Sequence, residues 1–309
     1  MRVAFVVFVR NKAPYVAECV RTVLAQDYSP MTLVFSDQMS EDDTFDIIKA
    51  ETAKYNGPNK ILLLQCPKTE HRGMPGLLDH INWLHDRLDF DYWITMAGDD
   101  LAYPMRARRV MDIVREHNPL YVATCQNFAN HDELVENGMA DSVTGYPHES
   151  RFVGTVECIN EMVGGSTSNA WNPALMEEFG PLPYHALVDV YVPFCATLKR
   201  SMYYIHEPLH IYVRRPDENN TGLEGRIRTA REDSEVARLQ ELTMYQLCAN
   251  HILMMKTAER FAENNPDRAD MNDEILPYLY TKILAQTTGW ATKRLTLSMN
   301  KISPMGLPV

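Results

Sequence analysis

The sequence predicts an α/β fold, a mostly parallel central sheet flanked by helices, followed by a helical C-terminal extension. Three observations carry this. Residues 1–125 alternate short apolar runs with stretches of three- and four-residue apolar spacing, the pattern of βα units feeding a parallel sheet. Residues 226–300 read as helix almost throughout, with interruptions near Asn264–Asp267 and at Pro277. The composition, 45% hydrophobic and 23% charged over 309 residues, is that of an ordinary globular protein able to bury a large core, which disfavours disorder, collagen and coiled coil.

The elements follow in order. Val3–Val9 is a wholly apolar run and reads as a buried strand. Val16, Cys19, Val20, Val23 and Leu24 share one helical face, and Pro14 suits the first turn of that helix. A second strand covers Met31–Phe35, a helix Thr44–Tyr55, and a third strand Ile61–Leu64. Leu77, Ile81, Leu84 and Leu88 form the stripe of the next helix, Tyr92–Met96 a fourth strand, and Pro104 opens a helix to about His117. Tyr121–Cys125 is a fifth strand. From Gln126 to Gly165 the pattern weakens into loops and short strands; helical pieces surround Pro181 and Pro183 over 173–200, and Tyr203–Ile205 and Leu209–Val213 read as two short strands.

Several classes are disfavoured. The Val3–Val9 run is too short to span a bilayer and is followed at once by Arg10, Asn11 and Lys12. Six widely spaced cysteines without a CxxC pair favour reduced thiols and a cytoplasmic location, and suggest no zinc site. A formal charge of −11 argues against broad attraction to nucleic acid or anionic membrane, although Arg106, Arg108 and Arg109 form a local basic patch. Neither GxGxxG nor GxxxxGK[ST] occurs, which removes the common dinucleotide and P-loop readings.

In open α/β sheets ligands collect beyond the carboxyl ends of the strands. The residues in question are Arg10-Asn11-Lys12, the run Ser36 to Thr44, and Gly98-Asp99-Asp100. Adjacent carboxylates at the end of a buried strand call for a compensating cation, and Mg²⁺ or Mn²⁺ would leave coordination sites open for phosphate oxygens. The competing reading has one of the two Asp residues capping the Pro104 helix and the other solvated.

The order of motifs resembles the family 2 glycosyltransferases of the GT-A fold. It reads Asn11, Tyr15-Val16, Cys19-Val20-Arg21-Thr22-Val23-Leu24-Ala25-Gln26, then Asp37, Ser40, Asp42 and Thr44, then Asp99-Asp100. The likeness covers roughly residues 1–118 well and 160–221 loosely, and implies a GT-A-like, Rossmann-related domain over 1–221. Its nucleotide-sugar-binding half would be 1–125 and its acceptor-side half 126–221, with 222–309 the helical extension. The resemblance implies an inverting, metal-dependent glycosyltransferase using a nucleotide-diphosphate sugar, a UDP-sugar by family habit, with Mn²⁺ or Mg²⁺ as cofactor.

Carried residue by residue, the resemblance gives Asp37 the nucleotide base, where a turn cap is the alternative, and gives Asp99 and Asp100 the metal and diphosphate. Ala97 departs from the pattern, standing where many members carry the first Asp of a D-x-D. Val9, Arg10, Asn11 and Gly73 complete the nucleotide-sugar-binding set. Val188-Asp189 takes the place of the family's catalytic acidic pair, so Asp189 is the expected general base, with His185 in reserve; a helix N-terminal Asp offsetting the dipole is the plainer role. Glu207 to Arg215 resembles the P-L-x-x-Y-R-x-H stretch near the phosphates, where Arg214 fits with a one-residue shift and a surface pair with Asp217 and Glu218 is the alternative. Gly164-Gly165-Ser166-Thr167 would allow close backbone approach of substrate, or make a plain turn.

The acceptor is a hydroxyl of a glycan, lipid carrier, protein, small metabolite or modified nucleic-acid base. The helical extension would bind acceptor, complete the fold or form a homo-oligomer. Two rivals compete: a sugar-phosphate nucleotidyltransferase, and a non-catalytic nucleotide- or sugar-binding protein of the same fold. His206 and His210 read as packing or surface residues, the methionines as helix-packing filler, and Trp171 and Trp290 as core or interface aromatics.

Overall fold

The computed structural model describes residues 1–67, 74–130, 142–144, 148–161, 169–214, 233–268 and 270–302, a few of them as backbone only. They fall in two compact units, Met1–Gly225 and Arg226–Val309.

The first unit is built on a ten-stranded mixed sheet. Its elements are β1 (Val3–Val9), α1 (Val16–Leu24), β2 (Thr32–Asp37), α2 (Thr44–Thr52), β3 (Lys60–Gln65), α3 (Met74–His85), β4 (Tyr92–Ala97), β5 (Leu101–Ala102) and α4 (Arg106–His117). There follow β6 (Tyr121–Asn130), β7 (Ser142–Thr144), β8 (Arg151–Phe152), α5 (Thr155–Glu161), β9 (Asn169–Trp171), α6 (Ala174–Phe179), α7 (Val188–Leu198) and β10 (Met202–Arg214). The sheet order is β3-β2-β1-β4-β9-β6-β10-β5, with β7 on β6 and β8 on β10. The long strands β1 to β4 run parallel, as do β6 and β10, while β9 is inserted antiparallel between β4 and β6.

β1 is central and buried on both faces, which is why its sequence shows no polar alternation. Val3, Phe5, Val7 and Val9 join one core cluster with the α1 stripe Val16, Cys19, Val20 and Val23 and the α4 residues Val110, Met111 and Val114. Phe8 points the other way, edge-on to the ring of His80 on α3 at 5.4 Å. Trp171 is core as expected, packed edge-on to Trp93 at 5.2 Å between centroids.

Some expected elements differ in detail. Tyr203–Ile205 and Leu209–Val213 are one strand, β10, whose register against β6 shifts between Ile205 and His210. Pro208 lies in that irregularity, where an absent N–H costs no ladder bond. Pro277 does not interrupt the last helix; it sits in that helix's first turn, where its missing N–H is not needed. β5 and β9 are only two and three residues long, too short for period-two patterning to reveal.

The second unit pairs α8 (Asp233–Asn264) with α9 (Leu276–Ile302) through a π-helical turn, Met271–Ile275. Met254, Ala258, Phe261, Met271, Ile275 and Leu279 are buried in it. His251 Nδ1 lies 3.0 Å from Gln286 Oε1, and Tyr280 Oη donates to Glu259 at 3.0 Å. No described helix in either unit is long and apolar enough to cross a membrane.

Candidate active site

The parallel registers Val9 to Asp37, Phe8 to Ala97 and Asp37 to Gln65 bring the carboxyl ends of β1, β2, β3 and β4 level. The backbones close further beyond the strands: Gln38 N–H donates to Val9 O at 2.8 Å and Gly98 N–H to Phe8 O at 2.9 Å. A Cβ on Gly98 would stand 2.9 Å from both methyl carbons of Val9, so the glycine permits this approach.

The loop after β2 is locked to the loop after β1 by the motif residues themselves. Asp37 is fully buried; Ser40 Oγ donates to its Oδ1, and Ser40 N–H at 3.0 Å and Gln65 Nε2 at 3.4 Å donate to Oδ2. Asn11 N–H donates to Ser40 Oγ at 2.8 Å, and Glu41 N–H donates back to Asn11 Oδ1 at 2.9 Å. Thr44 Oγ1 accepts from Lys12 N–H at 2.7 Å and donates to Asp42 Oδ1. Burial pushes the Asp42 carboxyl up, but hydrogen bonds from Thr44 and Ala13 outweigh it and hold it below the usual carboxylate range. Asn11 and Met39 take left-handed backbone conformations, φ 50° and 48°, to make these turns. The turn-cap role considered for Asp37 is present: its carboxylate accepts from Ser40 three residues on and closes the loop ahead of α2, which itself starts after Asp43. Arg10 reaches Gln38 Oε1 at 3.4 Å.

α1 in turn braces the segment after β4. Cys19 Sγ contacts Ala97 O at 3.6 Å, Thr22 Oγ1 accepts from Ala102 N–H at 3.2 Å, and Gln26 accepts from Ala107 N–H at 2.9 Å while donating to Tyr103 O at 2.8 Å. Gln26, just beyond the end of α1, thus supplies the cap that α4 lacks locally. Neither Asp99 nor Asp100 caps α4, which starts after Met105.

The two carboxylates of the turn part company. Asp100 is 2% exposed; its Oδ1 accepts from Val213 N–H at 3.2 Å and its Oδ2 lies 3.3 Å from His210 Nε2, both on β10. Its charge also compensates the buried Arg106 guanidinium, which donates to Thr95 O at 2.7 Å and lies over Phe5. Burial holds His210 below the usual histidine range, against the pull of Asp100, so it is neutral at pH 7. Asp99 is the more exposed carboxylate, its side chain 22% accessible, and its Oδ2 accepts from Lys12 Nζ at 2.5 Å.

The structure therefore brings Val9, Arg10, Asn11, Asp37 and Asp99 to one end of the sheet, with Asp100 behind. Asp189 belongs to another element: it is half-buried in the first turn of α7, and burial, with the Asp189 charge adding to it, pushes up the Tyr121 phenol at the start of β6. His185 is exposed, edge-on to Tyr184. Arg214 ends β10 and its side chain, like Gly73 and the 164–167 segment, lies outside the described residues. Sequence reasoning missed Lys12 as a partner of Asp99 and Gln65 as a partner of Asp37. Lys12 follows β1 and Gln65 ends β3, but nothing local assigns partners 87 and 28 residues distant. Among the described residues no three His, Cys, Asp or Glu side chains converge on a metal-sized site.

Fold and strand-end loops together define an α/β domain with its candidate ligand site at the carboxyl ends of β1, β2 and β4. The family model for glycosyl transferase family 2 matches residues 4–203, and the chain belongs to that family; this segment is a glycosyltransferase domain. One curated relative, "Putative glycosyltransferase EpsE" of Bacillus subtilis (strain 168), is 28% identical over 116 residues, 38% of this chain. The match spans only 39% of that relative's length. Among solved structures, S. aureus TarS 1-349 in complex with UDP-GlcNAc superposes with a TM-score of 0.57 at 14% identity, covering 93% of this chain and 89% of that one. Mannosyltransferase PcManGT from Pyrobaculum calidifontis, in complex with GDP-Man and Mn2+, gives 0.51 at 16% identity, covering 95% and 87%. At these identities the likeness establishes the fold, which is GT-A.

Proposed function

We propose that the protein transfers a sugar from a nucleotide-diphosphate sugar to an acceptor hydroxyl with inversion at the anomeric carbon, assisted by Mn²⁺ or Mg²⁺. The observation that carries this reading is the convergence of Asp37 and Asp99, from two loops that are each tied to the loop after β1, at the level ends of β1, β2 and β4. Asp37 accepts from the nucleobase, with Gln65, its longest contact at 3.4 Å, as the partner that yields. Arg10, Asn11 and the Val9 and Gly73 backbones line the donor, and Arg214 pairs with the diphosphate.

The donor set at the β4 turn fits a hard divalent cation held by one carboxylate and completed by phosphate oxygens and water. Asp99 is the direct ligand, and Asp100, bound to β10, holds the turn in place. When bound, the cation neutralises the departing diphosphate. Asp189 takes the proton of the acceptor hydroxyl, and attack opposite the leaving group inverts the centre. UDP is the favoured nucleotide, in keeping with the UDP-GlcNAc bound by TarS, whereas the GDP-Man of PcManGT makes GDP the first alternative. None of the six cysteines forms a disulfide, in keeping with a cytoplasmic enzyme. The extension over 222–309 is assigned to acceptor binding or self-association.

A thermal-shift panel of nucleoside diphosphates and their sugars, each with Mn²⁺, Mg²⁺ or chelator, tests the proposal. A selective, metal-dependent rise in Tm is expected, since a ligand of the folded state stabilises it by mass action. No shift with any nucleotide would favour the non-catalytic rival, and release of pyrophosphate from a nucleoside triphosphate would favour the nucleotidyltransferase.

A further inference from the structure

The Lys12–Asp99 pair joins the two loops on which the donor site rests. Asp100 is closed off by Val213 and His210, so Asp99 is the more accessible carboxylate of the turn, and Ala97 offers no second one. Its Oδ2 is held by an ammonium that is itself nearly buried, 11% exposed at the side chain. Lys12 is no surface residue reaching inward. Its N–H donates to Thr44 Oγ1 at 2.7 Å and its carbonyl accepts from the N–H groups of Tyr15 and Val16, both at 2.9 Å, fixing its backbone where β1 passes into α1. The charges of Lys12 and Asp99 cancel, so a divalent ion approaching this turn meets a neutral pair.

We propose that Lys12 is the resident counter-cation of Asp99, in competition with the divalent ion for the same carboxylate oxygen, and that the donor diphosphate resolves the competition by drawing the Lys12 ammonium onto its own oxygens. This rests on the donor reading given above. A lysine ammonium is a compact point charge on a flexible stem and passes readily from carboxylate to phosphate. Mg²⁺ and Mn²⁺ at such sites take one or two carboxylates and obtain their other ligands from phosphate and water. The free protein therefore binds metal weakly, and metal and nucleotide bind together. Lys12 is then a donor-binding residue, and its charge gives the site a measurable hold on diphosphate when no metal is present.

Two measurements on the full chain decide this: titration of Mn²⁺ alone followed by electron paramagnetic resonance, and calorimetry of UDP and of GDP in EDTA. Lys12→Met is expected to bind Mn²⁺ alone about tenfold more tightly than the parent and nucleoside diphosphate in EDTA about tenfold more weakly, the scale of one charge-assisted bond. Equal Mn²⁺ affinity in Lys12→Met and the parent overturns the competition. Should Lys12→Met not fold, Asp99→Asn decides instead: removing the carboxylate charge that competes with the diphosphate for Lys12 strengthens nucleotide binding in EDTA, and an unchanged or weakened affinity overturns the proposal. Tighter Mn²⁺ binding by Lys12→Met without binding of either nucleotide to any variant supports the competition and sinks the donor reading instead.

Discussion

Gly98 shows how narrow the tolerance of the proposed donor site is. The end of β4 lies so close to that of β1 that a single methyl would meet both Cγ atoms of Val9 at 2.9 Å. Gly98→Ala is expected to lower stability by about 1–3 kcal/mol, as overpacking does, and to weaken nucleotide binding by displacing Asp99. Urea denaturation and calorimetry would register both effects, and adding Val9→Ala should recover part of each. If Gly98→Ala alone behaves like the parent, the close approach is not a constraint. Asp189 poses the opposite kind of question, since its role is chemical. Asp189→Asn should keep nucleotide affinity while lowering transfer by roughly 10²–10⁴-fold, the usual worth of a general base. Transfer at the parental rate would move the base elsewhere, with His185 next in line.

α1 and Gln26 just beyond it turn their polar atoms to a segment 77 to 81 residues downstream. Gln26 is the clearest instance, accepting from Ala107 N–H and donating to Tyr103 O from 7% exposure. Gln26→Ala leaves both backbone groups buried without that partner and should cost about 1–3 kcal/mol in urea denaturation; an unchanged midpoint would mean that water or another side chain replaces the amide. The same view clarifies what could be read locally. The apolar period of α1 was legible because its stripe is contiguous, and Val16, Cys19, Val20 and Val23 are all fully buried. The use of Thr22, Gln26, Ser40 and Thr44 was not, because each bonds to another loop and a polar residue carries no mark of its partner. Asp100 is the sharpest case: beside Asp99 it looks equivalent, yet β10 takes both of its oxygens.

For the molecule as a whole, buried neutral histidines tie stability to pH. Burial lowers His80, hydrogen-bonded to Ser36 at 2.6 Å, from 6.5 to about 4, and lowers His210 and His251 as well. Between pH 6.5 and about 4 the unfolded chain binds a proton at His80 that the folded chain does not, so that stability is fully present above about 6.5 and is lost as pH falls; His210 and His251 act in the same direction. His80 alone contributes about 3 kcal/mol across that window. Urea midpoints measured from pH 7 to pH 4.5 should fall, and His80→Gln, which cannot titrate, should flatten the slope; parallel curves for the two proteins would show that His80 is not the source.

What the sequence by itself determined was the run of βα units from Val3 to His117, the helical extension and the family. Periodicity and short motifs are local, so they survive without coordinates. Only the tertiary structure decided that β9 enters the sheet antiparallel, that Asp100 is sealed behind β10 while Asp99 meets Lys12, and that the loop motifs spend most of their polar groups on one another. Those outcomes depend on which distant groups share a buried space, where every donor and acceptor needs a partner, and one-dimensional spacing carries no record of that pairing.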